Sequence, residues 1–201
     1  MIICLTRSNM PLNPEISRFI REHLDDNPDQ LLWKKNEYPD DRVVLAVEQV
    51  QARENIKEKL PSWYACRDIF YPSKLSTEQC SSETTAPYKA RLATGNSLCD
   101  LTGGLGVDTY FFSRQVDKVT YVERDESYCE AARSNFLALG ATNIEVIHAD
   151  ATTVANQVIA DTYYIDPARR TTDNKRVFAL TDYAPNVLEI KETLLRQGQR
   201  L

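Results

Sequence analysis

The chain has 201 residues, with 42% hydrophobic and 26% charged residues, six glycines and nine prolines. That profile suits a folded domain plus an appendage and excludes a low-complexity chain. Lys plus Arg is 24 and Asp plus Glu is 29, a net charge of −5, which excludes a broadly basic nucleic-acid coat but leaves room for a local basic patch.

The N-terminal MIICLTRSNMPLN has too short an apolar run, and no small-residue cleavage site, for a signal peptide. Nowhere does the chain approach the ~20 consecutive apolar residues of a membrane-spanning helix, so no membrane association is expected. Asn13-Pro14-Glu15 reads as an N-cap with proline at the first helical position. Ile16, Phe19, Ile20 and Leu24 then recur at helical spacing. Pro28 and Asp29 restart a short helix around Leu31, Leu32 and Trp33. Pro39-Asp40-Asp41 opens a longer one with the stripe Val43, Val47, Val50, Ile56 and Leu60, ended by Pro61. Residues 62–82 mix aromatics with proline and Ser/Thr and read as a packed connector. Ser81 or Ser82 is then positioned to cap a helix running to Ala93, with Glu83 in its first turn.

Beyond this point short β-branched and aromatic runs alternate with helical segments. Strands are predicted at 97–101, 118–122, 143–148 and 162–165, and helices at 107–115, 126–139 and shortly after Asp150. Gly140 stops the second of these helices. This alternation predicts an α/β class, with a Rossmann-like, doubly wound parallel sheet behind an all-helical N-terminal domain. The expected boundaries are 1–80 for the helical domain and 81–201 for the sheet domain. The last helix is predicted at 186–197, with Gly198 as its stop and 199–201 as the start of a further strand. A sheet of four strands would leave the fourth an open edge, so the sheet is expected to be incomplete here and the chain part of a longer protein. The five cysteines, Cys4, Cys66, Cys80, Cys99 and Cys129, show no CxxC pair, which predicts free thiols in a reducing cytoplasm and no zinc or other metal site. His23 and His148 read as structural.

The chemistry concentrates in the sheet domain. Asp100-Leu-Thr102-Gly-Gly104-Leu-Gly106-Val-Asp108 joins the first strand to a helix, and its glycines allow a sharp turn and close backbone approach to a ligand. Thr109 stands where a dinucleotide fingerprint has its third glycine, and no GK[ST] follows, so neither that fingerprint nor a P-loop is complete. Acidic residues recur at strand ends: Asp100 after the first, Glu123 after the second (17 residues beyond Gly106) and Asp150 after the third. Carboxylates there face the crevice where open α/β sheets bind ligands. Glu123 is placed for ribose hydroxyls, Asp150 for an adenine amine, and Asp100 for the ammonium of an amino-acid moiety. Asp166-Pro-Ala-Arg169-Arg170 ends the fourth strand, and with Lys175 and Arg176 it forms a basic cluster suited to nucleic-acid phosphates.

These motifs together resemble the class I S-adenosylmethionine-dependent methyltransferases over residues 95–201. Asp100-x-Thr102-x-Gly104-x-Gly106 resembles their first motif, Val122-Glu123 the second, Ala149-Asp150 the third and Asp166-Pro167 the fourth. The resemblance implies S-adenosyl-L-methionine as cofactor, bound by Asp100, Thr102, Gly104, Gly106, Glu123 and Asp150. It implies Asp166 and the Pro167 carbonyl as the groups that hold an exocyclic amine. Amino-methylating members carry (D/N)PP(Y/F/W) at that point; here Ala168 and Arg169 replace the second proline and the aromatic. The segment 79–90 with these motifs is similar to a group of bacterial proteins described as methyltransferases, which have a helical N-terminal region and a THUMP-like C-terminal domain. Ser82-Glu83 and Ala86 also resemble the T-P-E-x-I-A segment of the cap guanine-N2 methyltransferases. On that likeness Glu83 and Lys89 become substrate-binding candidates with Arg169 and Arg170, and the expected acceptor is a base in RNA. The alternatives are a non-catalytic RNA-binding module on the same fold, favoured by Ala168 and Arg169, and a nicotinamide-dependent oxidoreductase, against which Thr109 and the Asp-Pro pair speak.

Overall fold

The structure, a computed structural model, describes residues 14–38, 40–167, 185–198 and 201. The predicted cap at Asn13, Pro39, the cluster Arg169, Arg170, Lys175 and Arg176, and residues 199–200 of the predicted last strand lie outside the described residues. The chain divides into two compact units, Met1–Gln79 and Cys80–Leu201.

The first unit is helical. Helix α1 (Pro14–Glu22) and α2 (Pro28–Trp33) pack on α3 (Arg42–Ile56). Asn27 accepts from the N–H groups of Asp29 and Gln30, so α2 starts with a side-chain cap and a proline behind it. Asp40 accepts from the N–H of Arg42 and pairs with both sides of its guanidinium at 2.7 and 2.8 Å. The apolar stripes interlock as one core: Ile16, Phe19, Ile20, Leu24, Leu31, Val43, Ala46 and Val47. Two helices lie inside the predicted connector, α4 (Pro61–Ala65) and α5 (Lys74–Gln79). They are five and six residues long. The start of α5 is marked by Ser73, whose hydroxyl accepts from the N–H of Ser76. The connector does pack: Trp63 is fully buried. The buried Gln49 amide also holds the Tyr71 backbone by two bonds, donating to its carbonyl at 2.8 Å and accepting from its N–H at 2.9 Å.

The second unit begins with α6 (Thr85–Ala90), shorter than the predicted helix to Ala93. Ser82 accepts from the Thr85 N–H at its start, and Gly95 at φ +79° follows its end. Four parallel strands follow, β1 (Ser97–Asp100), β2 (Lys118–Glu123), β3 (Ile144–His148) and β4 (Thr162–Tyr164), in the order β3-β2-β1-β4. Their connections carry α7 (Val107–Phe112), α8 (Glu126–Ala138) and α9 (Ala151–Val154), and α10 (Val187–Gln197) comes after β4. Among the described residues the sheet therefore has the Rossmann-like plan expected. Register sorts the two faces: Asp100 pairs with Tyr121 and Tyr164, and Cys99 with Thr120 and Tyr163. Because side chains alternate along a strand, Tyr121 packs with Cys129, Ala132 and Phe136 of α8 on one face. On the other, Cys99, Val122 and Tyr163 pack with Ala151 and Val154 of α9 and Ile190 and Leu194 of α10. Cys66, Cys80, Cys99 and Cys129 are free thiols. No described helix is long and apolar enough to cross a membrane.

One glycine inside the turn after β1 is dictated by packing. A Cβ on Gly103 would sit 2.2 Å from the Tyr121 ring, which is itself fully buried. Gly103→Ala must therefore displace a core aromatic. The expected loss is about 3 kcal/mol in urea unfolding, and a variant as stable as the parent would show that the turn is not seated on Tyr121.

Candidate functional site

With β1 in the interior of the sheet, its C-terminal end lies between those of β2 and β4, the switch point at which open α/β folds bind ligands. The turn after β1 is fixed there from several sides. The Gly103 N–H continues the ladder to the Val122 carbonyl. The Tyr121 hydroxyl donates to the Gly104 carbonyl at 2.6 Å. Gly104 and Gly106 both have positive φ, +53° and +88°, which residues with a Cβ rarely adopt. Their surroundings differ. A Cβ on Gly106 would meet the Phe136 ring at 2.8 Å, whereas one on Gly104 would find only the Thr102 carbonyl, 3.8 Å away. Gly106 is thus packed inward against α8, and the open face of the turn is at Gly104.

The acidic residues divide into a buried one and exposed ones. Asp100 is 1% exposed, and both its oxygens are taken. Oδ1 accepts from the Thr102 N–H at 3.1 Å and Oδ2 from the Thr109 hydroxyl at 2.6 Å. Asp100, expected from the sequence to meet a ligand's ammonium, here ties the turn to the first turn of α7. Burial pushes its carboxyl up to about 7, against the pull of the Thr109 and Thr102 hydrogen bonds. Thr109, counted in the sequence as a missing glycine, is the residue that makes this possible. The signal was an Asp at a strand end with a hydroxyl nine residues on.

Glu123 stands at the tip of β2. Its Oε2 accepts from the Gly104 N–H at 3.0 Å, and its Oε1 accepts from the N–H groups of Arg124 and Asp125 at 2.8 and 3.0 Å. A carboxylate offers about four lone-pair sites, so one remains for a further donor, and the Gly104 contact can be exchanged for another. Asp150 caps α9: its Oδ1 accepts from the Thr152 hydroxyl at 2.6 Å and N–H at 2.8 Å. Those bonds hold its carboxyl below the usual range and leave Oδ2 for other donors. Nearby, the His148 Nε2 donates to the Arg124 carbonyl at 3.0 Å, a structural role.

At the tip of β4, Asp166 has a side chain 60% exposed. Its backbone N–H donates to the Thr102 hydroxyl at 2.7 Å, so Thr102 ties the glycine turn to the Asp-Pro pair. Lys89 on α6 donates to Ser81, Asp108 and Tyr164 at 2.9, 2.9 and 2.7 Å, and lies 3.6 Å from Asp166. All three N–H donors of Lys89, a substrate-binding candidate in the sequence, have partners within the chain. Glu83 lies in the turn before α6, half-buried. The structure thus bonds Glu123 to Gly104 and Asp166 to Thr102, and the turn that carries Thr102 and Gly104 brings the four together. Ser81, Gly103, Asp108 and Tyr121 join that site although sequence reasoning gave them no role in it. Among the described residues no group of three or more His, Cys, Asp or Glu is placed to hold a metal ion.

A scan of family models finds no match, and a search of curated proteins finds none. Solved structures do match. The chain is similar to a candidate methyltransferase from Porphyromonas gingivalis W83, at 29% identity and a TM-score of 0.76. That match covers 92% of this chain and 46% of the other, so the chain spans less than half of that protein's length. It also matches an rRNA methylase from Streptococcus thermophilus at 18% identity and a TM-score of 0.43, covering 57% of this chain and 62% of that one. A candidate O-methyltransferase from Klebsiella pneumoniae matches at 15% identity and a TM-score of 0.47, covering 60% and 53%. The fold is the Rossmann-like fold of methyltransferases.

Proposed function

We propose that this chain carries the cofactor site and the amine-holding loop of an S-adenosylmethionine-dependent methyltransferase acting on a base in RNA. One observation carries the reading. The Thr102 hydroxyl accepts the Asp166 N–H, so a glycine turn with one open face and a strand-end Asp-Pro pair share a single hydrogen-bonded frame. The residues present fit such a cofactor: Gly104 opens outward, and Glu123 beside it has acceptor capacity for a ribose hydroxyl. Asp150 offers Oδ2 to an adenine amine. The likeness to the Porphyromonas gingivalis W83 protein supports the same class.

S-adenosylmethionine, when bound, would supply an electrophilic methyl group on a cationic sulfur, and the acceptor amine would give up one proton on being methylated, to the Asp166 carboxylate or to solvent. The protein's task is then alignment more than chemistry. Asp166 accepts one amine N–H and the Pro167 carbonyl the other, which turns the lone pair away from both. A base inside a duplex cannot reach such a tip, so the acceptor is unpaired or flipped. Arg169 and Arg170, next in sequence, would contact phosphates. The free thiols suit a reducing compartment, and we place the protein in the cytoplasm.

Calorimetry with S-adenosylhomocysteine tests the cofactor assignment. Glu123→Ala removes a charged acceptor and is expected to weaken binding about tenfold or more. Equal affinity in the two proteins would remove Glu123 from the site. Transfer of labelled methyl from S-adenosylmethionine to total RNA, lost on ribonuclease treatment, tests the acceptor.

A further inference from the structure

The hydrogen bonds around Lys89 close on themselves. The Ser81 and Tyr164 hydroxyls each accept from the Lys89 ammonium, at 2.9 and 2.7 Å. Each donates its own proton to Asp108 Oδ2, at 3.0 and 3.1 Å. Lys89 donates to that same oxygen at 2.9 Å. No donor of Lys89 is left over, and the side chains of Lys89 and Asp108 are only 24% and 14% exposed. The cluster places a cation 3.6 Å from the exposed carboxylate of Asp166. The ammonium thus has no free donor left but sits within ion-pair distance of the Asp166 carboxylate. Tyr164 ends β4 two residues before Asp166, so the cluster grips the tip of β4 next to that carboxylate.

We infer that Lys89, locked by Ser81, Asp108 and Tyr164, is a positioning residue that holds the Asp166 carboxylate in place to receive the acceptor amine. This rests on the reading of Asp166 given above. Lys89 acts through Asp166 and touches neither acceptor nor cofactor.

Lys89→Met alone would leave the Asp108 carboxylate buried beside hydroxyls without its cation, which destabilises a fold. The test therefore uses Lys89→Met with Asp108→Asn, which removes both charges, and compares it with Asp166→Ala and with all three changes together. The paired change is expected to lower kcat for methyl transfer to total RNA about tenfold, the cost of a misplaced group. Affinity for S-adenosylhomocysteine should stay within about threefold of the parent. Adding the pair to Asp166→Ala should cost nothing further, because residues acting through one group are non-additive. Additive losses, unchanged transfer, or an affinity loss as large as the loss of transfer would each overturn the proposal.

If the parent protein transfers no methyl group to RNA, the acceptor reading fails, and NMR of the Asp166 side chain decides the positioning claim alone. Couplings across its Cα–Cβ bond should report one rotamer in the parent and a mixture in the paired variant, because the carboxylate loses the cation 3.6 Å away. The same couplings in both proteins overturn it.

Discussion

Asp166→Ala is expected to lower methyl transfer by roughly a hundredfold or more, the range for loss of a positioned polar group at a reacting atom. The fold should survive. The Asp166 side chain is largely exposed, and Lys89 keeps its bonds to Ser81, Asp108 and Tyr164 without it. The main-chain bond from residue 166 to Thr102 does not involve the deleted carboxylate. Cofactor affinity should therefore change by no more than about threefold, so the loss falls on kcat with the acceptor saturating. The measurement pairs single-turnover transfer with calorimetry on S-adenosylhomocysteine. Near-parental transfer by Asp166→Ala would show that the amine is held elsewhere, and an equal loss of cofactor affinity would move Asp166 into the cofactor site.

The pH dependence of stability is expected to carry the signature of Asp100. Burial raises its carboxyl to about 7 in the folded protein, above the value of about 4 for an unfolded chain. A carboxyl raised in this way is neutral in the fold and charged in the unfolded chain between those two values. The folded state then holds more protons, so stability falls as pH rises from about 4 to about 7 and levels off above that. The loss from this one group is on the order of 4 kcal/mol. Asp100→Asn copies the neutral acid: its amide oxygen can accept from Thr102 and its NH2 can donate to the Thr109 hydroxyl, where Asp100 now accepts from both. Urea unfolding across that range should show the decline in the parent and not in Asp100→Asn. Parallel curves would mean that Asp100 is charged in the fold at every pH tested.

The helices and strands of the second unit were legible because β-branched and aromatic runs alternate there with segments bracketed by glycine or a capping Asp. The strand at 118–122 and the helix at 126–139 differ from β2 and α8 by a single residue at one end. Helices α4 and α5 are about as long as α2 and α7, but they were hidden because Pro61, which opens α4, read as the end of the helix before it, and the mixed aromatic, proline and Ser/Thr run around α5 carries no stripe. The strand-end acids were legible as a series, since parallel strands put their C-terminal ends on one side. What each acid does was not. Asp100 and Glu123 look alike in sequence, yet one is shut inside by Thr109 while the other faces the turn through Gly104.

The sequence by itself determined the alternation of strand and helix, the bend after β1 and the acidic tips, because backbone geometry sets those locally through period, glycine and cap. Only the tertiary structure decided which glycine opens outward, that Asp100 is buried, and that Lys89 on α6 reaches a tyrosine 75 residues later. Those outcomes depend on which strands are neighbours in the order β3-β2-β1-β4. Strand order is chosen by how the two apolar faces of the sheet are covered, and that is a property of the assembled core, beyond the reach of any local stretch of chain.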